Sequence, residues 1–107
     1  FGGTVIARAA PRLGDRLKRL IFWNAFVPRD GHSLLDEVPP HYRDMFRALA
    51  AASDDDTVML PFAIWREAFI QDADLDFARN AYAALSSEPF APFDTPLDLA
   101  EFYALTV

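Results

Sequence analysis

Phe1-Gly2-Gly3-Thr4-Val5-Ile6-Ala7 opens the chain, and Ile21-Phe22-Trp23-Asn24-Ala25-Phe26-Val27 follows after a short charged turn. The fold depends on reading these two stretches together. A glycine pair ahead of an apolar run with small residues to Ala10 predicts a buried helix that starts on a sharp turn. Pro11 predicts where that helix ends. The second stretch is short, aromatic and β-branched, with Lys18 and Arg19 before it and Pro28 after it. It reads as a strand buried on both faces, as in a parallel sheet.

A strand without neighbours leaves its backbone groups unpaired, so Ile21–Val27 calls for strands supplied from elsewhere. The chain also starts without Met, and its first residues read as the rear of a tight turn whose tip would lie outside the sequence. At the other end Ala104-Leu105-Thr106-Val107 reads as the start of a strand. The expectation is a middle section of a larger α/β domain.

Between these ends the pattern is helical. Pro28 to Pro40 is loop-like, with Pro28, Asp30, Gly31 and Ser33 as turn residues. Pro39 and Pro40 open a helix carried by Tyr42, Met45, Phe46 and Leu49 to about Ser53. Asp54-Asp55-Asp56 marks a turn or a helix start, because carboxylates favour the positive end of a helix. Leu60-Pro61 begins another helix through Ile64, Trp65, Ala68 and Phe69. Asp72-Ala73-Asp74 offers a cap for a third, with Leu75, Ala78, Tyr82 and Leu85 on one side. The prolines of Ser86–Pro96 exclude regular structure there, and Leu97–Tyr103 reads as a single helical turn. No internal repeat is visible.

Composition narrows the function classes. A chain of 107 residues supports one modest core, burying about 60–70% of the surface its unfolded form exposes. The aromatic side chains (Phe 10, Tyr 3, Trp 2) are many for such a core, which suits a pocket lining or an uncovered partner surface as well as ordinary packing. Absence of cysteine removes disulfides and thiolate zinc sites, and permits a reducing, cytoplasmic setting. No apolar run is long enough to cross a bilayer, and no signal-peptide layout is present. A net charge of −6 argues against nucleic acid as a partner. Basic residues collect near the start, whereas beyond Ser53 only Arg66 and Arg79 offset a long series of carboxylates. That acidic stretch reads as a solvated face of an inserted segment.

Taken with Leu17-Lys18-Arg19-Leu20 before the strand and with Pro28, Asp30-Gly31 and Ser33-Leu34-Leu35 after it, the opening pattern resembles the α/β-hydrolase superfamily. Its similarity is to the small esterase and hydroxynitrile-lyase-like branch, over essentially the whole chain. The resemblance implies a partial α/β-hydrolase fold: the helix after the nucleophile, one or two core parallel strands and a helical cap. It implies a core over residues 1–27, a cap over 28–98 and a return to the core over 99–107. In that family the residues before Phe1 would read Gly-His-Ser, completing G-x-S-x-G with Gly2 as its final glycine.

The implied chemistry is attack by serine on a carboxylic ester or related acyl compound, without metal or cofactor. Phe1 would supply a backbone N–H to the oxyanion, and Gly2 and Gly3 would leave room at the elbow. Asn24, near the carboxyl end of the strand, and the cap aromatics Phe62, Trp65 and Phe69 are the implied substrate contacts. Relatives often carry an acidic residue where Asn24 stands, which puts a charge-based role in doubt. Aromatic residues at helical spacing also serve as ordinary packing. His32 and His41 precede or enter the cap, whereas the family's catalytic histidine follows the last strand, so both read as surface histidines. Asp30 is a less common placement for a triad acid. No His, Asp and Glu spacing suggests a metal site.

Implied partners are a small ester or acyl substrate and the remainder of a hydrolase chain, with a homodimer left open and neither nucleic acid nor membrane. The chain by itself, without nucleophile or catalytic histidine, is expected to be inactive. Two other readings stand beside this one. Lyase chemistry on cyanohydrins uses the same scaffold, and a helical interaction module would use the aromatics as a binding face.

Overall fold

Helix α1 spans Gly2–Leu13 in the computed structural model, which describes residues 1–105. Its buried residues, Gly3, Thr4, Ala7 and Ala10, form a narrow inward stripe without bulky side chains. Pro11 does not end the helix, contrary to the sequence expectation. So near the helix end, proline forfeits one backbone donor and the chain tolerates the loss. The stop comes instead at Gly14, whose φ of 48° suits a residue without Cβ, and a 3₁₀ turn Gly14–Arg16 follows.

The stretch Ile21–Val27 corrects the sequence reading. It forms no ladder, and it bends at Trp23 and Asn24. Ile21 is 74% exposed and Trp23 87% exposed, so the expected burial on two faces is not present. The physical reason is pairing. Among the described residues the sheet holds only two short strands, β1 (Thr57–Val58) and β2 (Glu88–Pro89), and neither reaches this stretch. Backbone donors and acceptors without a neighbouring strand cannot set up a strand, whatever the local propensity.

By its internal packing the described chain divides into two units. One holds Phe1–Arg43 and the chain from Ala91 onward; the other is Asp44–Phe90. In the first, α1 packs on the short helix α5 (Ala100–Tyr103), and the Arg8 guanidinium donates to the Asp98 carbonyl at 2.7 Å. Leu34, Leu35 and Leu99 are fully buried, each worth about 1.5–3 kcal/mol of apolar burial. The two leucines sit on a 3₁₀ turn, Leu34–Glu37, closed by a capping box. Asp36 Oδ2 there accepts from the Ser33 backbone N–H at 2.8 Å and from its hydroxyl at 3.1 Å. These bonds hold the Asp36 carboxyl below its usual value, the backbone N–H having the largest effect. Next to it, Arg29 Nε donates to Glu37 Oε1 at 2.9 Å, which raises the arginine's already high pKa.

Two segments of this unit are laced together over a long sequence distance. Gly31 N–H donates to the Leu97 carbonyl at 2.8 Å, Leu97 N–H to the His32 carbonyl at 3.1 Å, and Leu35 N–H to the Phe93 carbonyl at 3.1 Å. Asp30 Oδ1 accepts from Leu99 N–H at 2.7 Å, and Tyr103 Oη donates to the Pro28 carbonyl at 2.8 Å. The chain thus leaves along residues 28–35 and returns along 91–99 through a hydrogen-bonded clasp.

The second unit takes in most of α2 (Pro40–Ala52), with α3 (Phe62–Phe69) and α4 (Leu75–Ala83). Pro40 is the first residue of α2, as the sequence predicts for a proline that fixes φ and needs no donor there. Asp54–Asp56 is a turn leading into β1, not a helix start, and Asp56 adopts a φ of 55°. Thr57 pairs with Pro89 and Val58 with Glu88 in antiparallel register. The Ser86–Pro96 stretch is therefore irregular except for β2, a pairing between residues too distant in sequence for local pattern to reveal. Asp74 caps α4 as expected, accepting from Phe77 N–H at 2.8 Å. Of the strand expected at the chain's end, Ala104 is the helical cap of α5, and Thr106 and Val107 lie outside the described residues.

Candidate active site

At the start of α1, Phe1 occupies the N-cap position without a side-chain cap of its own. Its carbonyl accepts from Thr4 N–H at 3.0 Å and from Thr4 Oγ1 at 2.9 Å, which draws Phe1 into the first turn. The Phe1 ring packs edge-on against Phe93, with centroids 5.4 Å apart. Helix geometry leaves the first N–H groups without intrahelical acceptors. No acidic residue stands in that turn to neutralise them, so the end of the helix keeps its positive potential.

Gly3 is where bulk is forbidden. A Cβ there would overlap the Phe26 carbonyl oxygen and lie 2.8 Å from its carbonyl carbon. The main chain at Phe26 therefore rests directly on the first turn of α1. Gly2 differs, since a Cβ at that position would meet nothing within 4 Å. Gly3 thus makes room for the Phe26 main chain, whereas Gly2 faces open space.

Beside Phe1 the outer face of α1 borders a cleft of about 490 Å³. Val5 and Ala9 line it together with Leu97, and Arg8 and Arg12 bring positive charge. Asn24, in the same unit, sits on an exposed bend with a φ of 43°. The sheet edge that was the ground for placing it near a ligand is not formed among the described residues.

The aromatic candidates lie in the other unit. Phe62 and Trp65 are half-buried and form a ring cluster with Tyr82, whose centroid is 5.3 Å from the first and 5.4 Å from the second. Tyr82 Oη donates to the Leu60 carbonyl at 2.6 Å, fixing the ring from α4 against the start of α3. Phe69, at the last residue of α3, is 64% exposed and takes no part in those ring pairs. Tyr82 was legible only as the packing side of its helix; its share in the cluster depends on a tertiary approach.

His32 Nδ1 lies 2.9 Å from the Asp30 carbonyl, and the His41 ring packs on Tyr42 at 4.4 Å. The Asp30 carboxylate is engaged by Leu99 N–H. Among the described residues no cluster of three or more His, Asp or Glu side chains could hold a metal ion, and no helix is long and apolar enough to cross a membrane.

Comparison with known proteins adds the decisive observation. A solved structure, an extracellular α/β-hydrolase from a Paenibacillus species, matches 98% of the chain with a TM-score of 0.94 and 39% sequence identity. The chain belongs to the α/β-hydrolase superfamily. That relative is described as sharing structural and functional homology with tobacco salicylic acid binding protein 2. No family model matches the chain, and no curated protein does.

The chain spans 43% of the length of the Paenibacillus protein. Its fold is thus a partial α/β-hydrolase fold, helical with a two-stranded sheet, and the assignment stands on the backbone match rather than on a core sheet. In this chain, α1 with its tight Gly3 contact and uncapped first turn is the feature best suited to chemistry. A positive helix end stabilises negative charge that develops beside it.

Proposed function

We propose that the chain is part of a serine hydrolase acting on carboxylic esters or related acyl compounds, with the nucleophile directly before Phe1. The observation that carries this reading is the hydrolase match over 98% of the chain together with the start of α1. In the intact enzyme the serine hydroxyl attacks the acyl carbon while a histidine base takes its proton. The resulting oxyanion accepts from the Phe1 N–H and from an amide of an earlier loop. Collapse expels the alcohol, protonated by the same histidine, and water then releases the acid. Gly2 completes the elbow, and Gly3 sets how near α1 comes to the chain at Phe26.

On this reading the Asp44–Phe90 unit belongs to the cap, and Phe62, Trp65 and Phe69 contribute apolar contacts to the acyl or alcohol group. Asn24 contributes at most a neutral hydrogen bond. The reaction needs no metal or cofactor. The segment alone, lacking nucleophile and base, is inert. A cytoplasmic setting rests on the absence of cysteine alone, and the Paenibacillus relative is described as extracellular.

The test is an assay of the full-length protein with a simple aryl ester and, separately, a mandelonitrile-type cyanohydrin, alongside a variant with alanine at the residue before Phe1. Ester turnover lost in the variant, with covalent labelling by a fluorophosphonate, supports the hydrolase. Cyanohydrin cleavage without ester turnover replaces it with the lyase. Activity that survives the alanine variant rejects the nucleophile.

A further inference from the structure

Asp30 carries a consequence beyond the chemistry just proposed. Its carboxylate accepts the backbone N–H of Leu99, a residue far along the chain whose side chain is fully buried. Leu99 is the N-cap of α5 but makes no side-chain cap bond, so the carboxylate of Asp30 serves the start of that helix from outside it. The same turn places Gly31 N–H and the His32 carbonyl on the two backbone groups of Leu97. Tyr103, one turn along α5, closes the outer end by donating to the Pro28 carbonyl.

We propose that Asp30 is a positioning residue for substrate binding: by holding Leu99 N–H it locks the outgoing stem, residues 28–35, to the returning stem, 91–99, which carries Leu97 on the wall of the cleft beside Phe1. The inference rests on the reading of that cleft as part of a hydrolase's substrate site. It assigns Asp30 no proton transfer, which separates it from a triad acid. A carboxamide oxygen can accept the same hydrogen bond, whereas a methyl group cannot. Removing the acceptor leaves a buried donor unsatisfied.

The test uses Asp30→Ala, Asp30→Asn and Tyr103→Phe in the full-length protein, with amide hydrogen exchange at Leu99, Leu97 and Gly31 and steady-state kinetics on an aryl ester. Asp30→Ala is expected to speed exchange at Leu99 about tenfold or more, the loss of one satisfied buried donor. It raises KM about threefold to tenfold while kcat stays within about twofold, the signature of lost binding rather than lost chemistry. Asp30→Asn restores both values to near wild type, and Tyr103→Phe shifts exchange at Leu97 and KM in the same direction as alanine. A fall in kcat of about 10⁴ in Asp30→Asn, as for a missing triad acid, overturns the proposal. So does unchanged Leu99 exchange in Asp30→Ala. Should Asp30→Ala not fold, the asparagine and Tyr103 variants decide by the same criteria. If the wild-type protein turns over no ester, the hydrolase reading falls, while exchange at Leu99 still tests the clasp by itself.

Discussion

Gly3 and Phe26 meet main chain to main chain: a methyl group on the glycine would overlap the phenylalanine's carbonyl oxygen. The contact couples the first turn of α1 to the Ile21–Val27 segment that follows it in sequence. It also explains why the buried stripe of α1 begins with a residue that has no side chain.

Gly3→Ala is therefore expected to destabilise the protein although alanine is the better helix former. Helix propensity favours the change by about 1 kcal/mol. Overpacking against a backbone that cannot rotate away costs about 1–3 kcal/mol or more and outweighs it. Gly2→Ala, which meets open space, should be neutral or stabilising. Urea midpoints of the two variants check the contrast, and a Gly3→Ala midpoint at or above wild type removes the contact from the account.

Asp36 predicts an acid-sensitive element. Its folded pKa is depressed by the Ser33 N–H and hydroxyl, so its contribution to stability is fully present above the ordinary value of 3.8. That contribution disappears as pH falls through the lower folded value. The thermal midpoint of Asp36→Ala should lie below wild type at neutral pH, and the gap should shrink in strong acid. A carboxyl titration of Asp36 by NMR with its midpoint above 3.8 contradicts the assignment.

In the second unit, Tyr82→Phe retains the ring cluster with Phe62 and Trp65 but loses the bond to the Leu60 carbonyl. The expected cost is about 0.5–1.5 kcal/mol, the net worth of one such bond. Tyr82→Ala, which also removes the ring, should cost about 3–5 kcal/mol if its surroundings behave as a core. Equal losses in the two variants, measured by chemical denaturation, would locate the stabilisation in the hydroxyl alone.

Asp74→Ala removes the cap of α4 and should cost about 0.5–2 kcal/mol, with Asp74→Asn or Asp74→Ser recovering most of it. Faster amide exchange at Phe77 in the alanine variant is the direct sign, since that N–H loses its acceptor. Exchange unchanged at Phe77 would mean the bond is not held in solution.

What the sequence disclosed was what neighbours in the chain decide. Pro40 opening α2, Pro61 preceding α3 and Asp74 capping α4 act within a turn or two, and each element formed where its signal stood. The helix at Gly3 and the resemblance carried by Phe1-Gly2-Gly3-Thr4 were legible for the same reason. Pro11 misled because proline near a helix end is tolerated. The pairing of Thr57 with Pro89 and the bond from Leu99 to Asp30 were not legible, because the residues are far apart in sequence. Ile21–Val27 shows the limit from the other side. Its β-branched and aromatic composition is that of a strand, but composition supplies no neighbour to pair with.

The hydrogen-bonded stems have an evolutionary corollary. Closing a flexible loop costs entropy that grows only with the logarithm of its length, about 0.6 kcal/mol for each doubling. Once residues 28–35 and 91–99 hold each other, what is strung between them can lengthen, shorten or be exchanged at little thermodynamic penalty. A scaffold with such a junction can diversify the segment between its stems by recombination while α1 is left untouched.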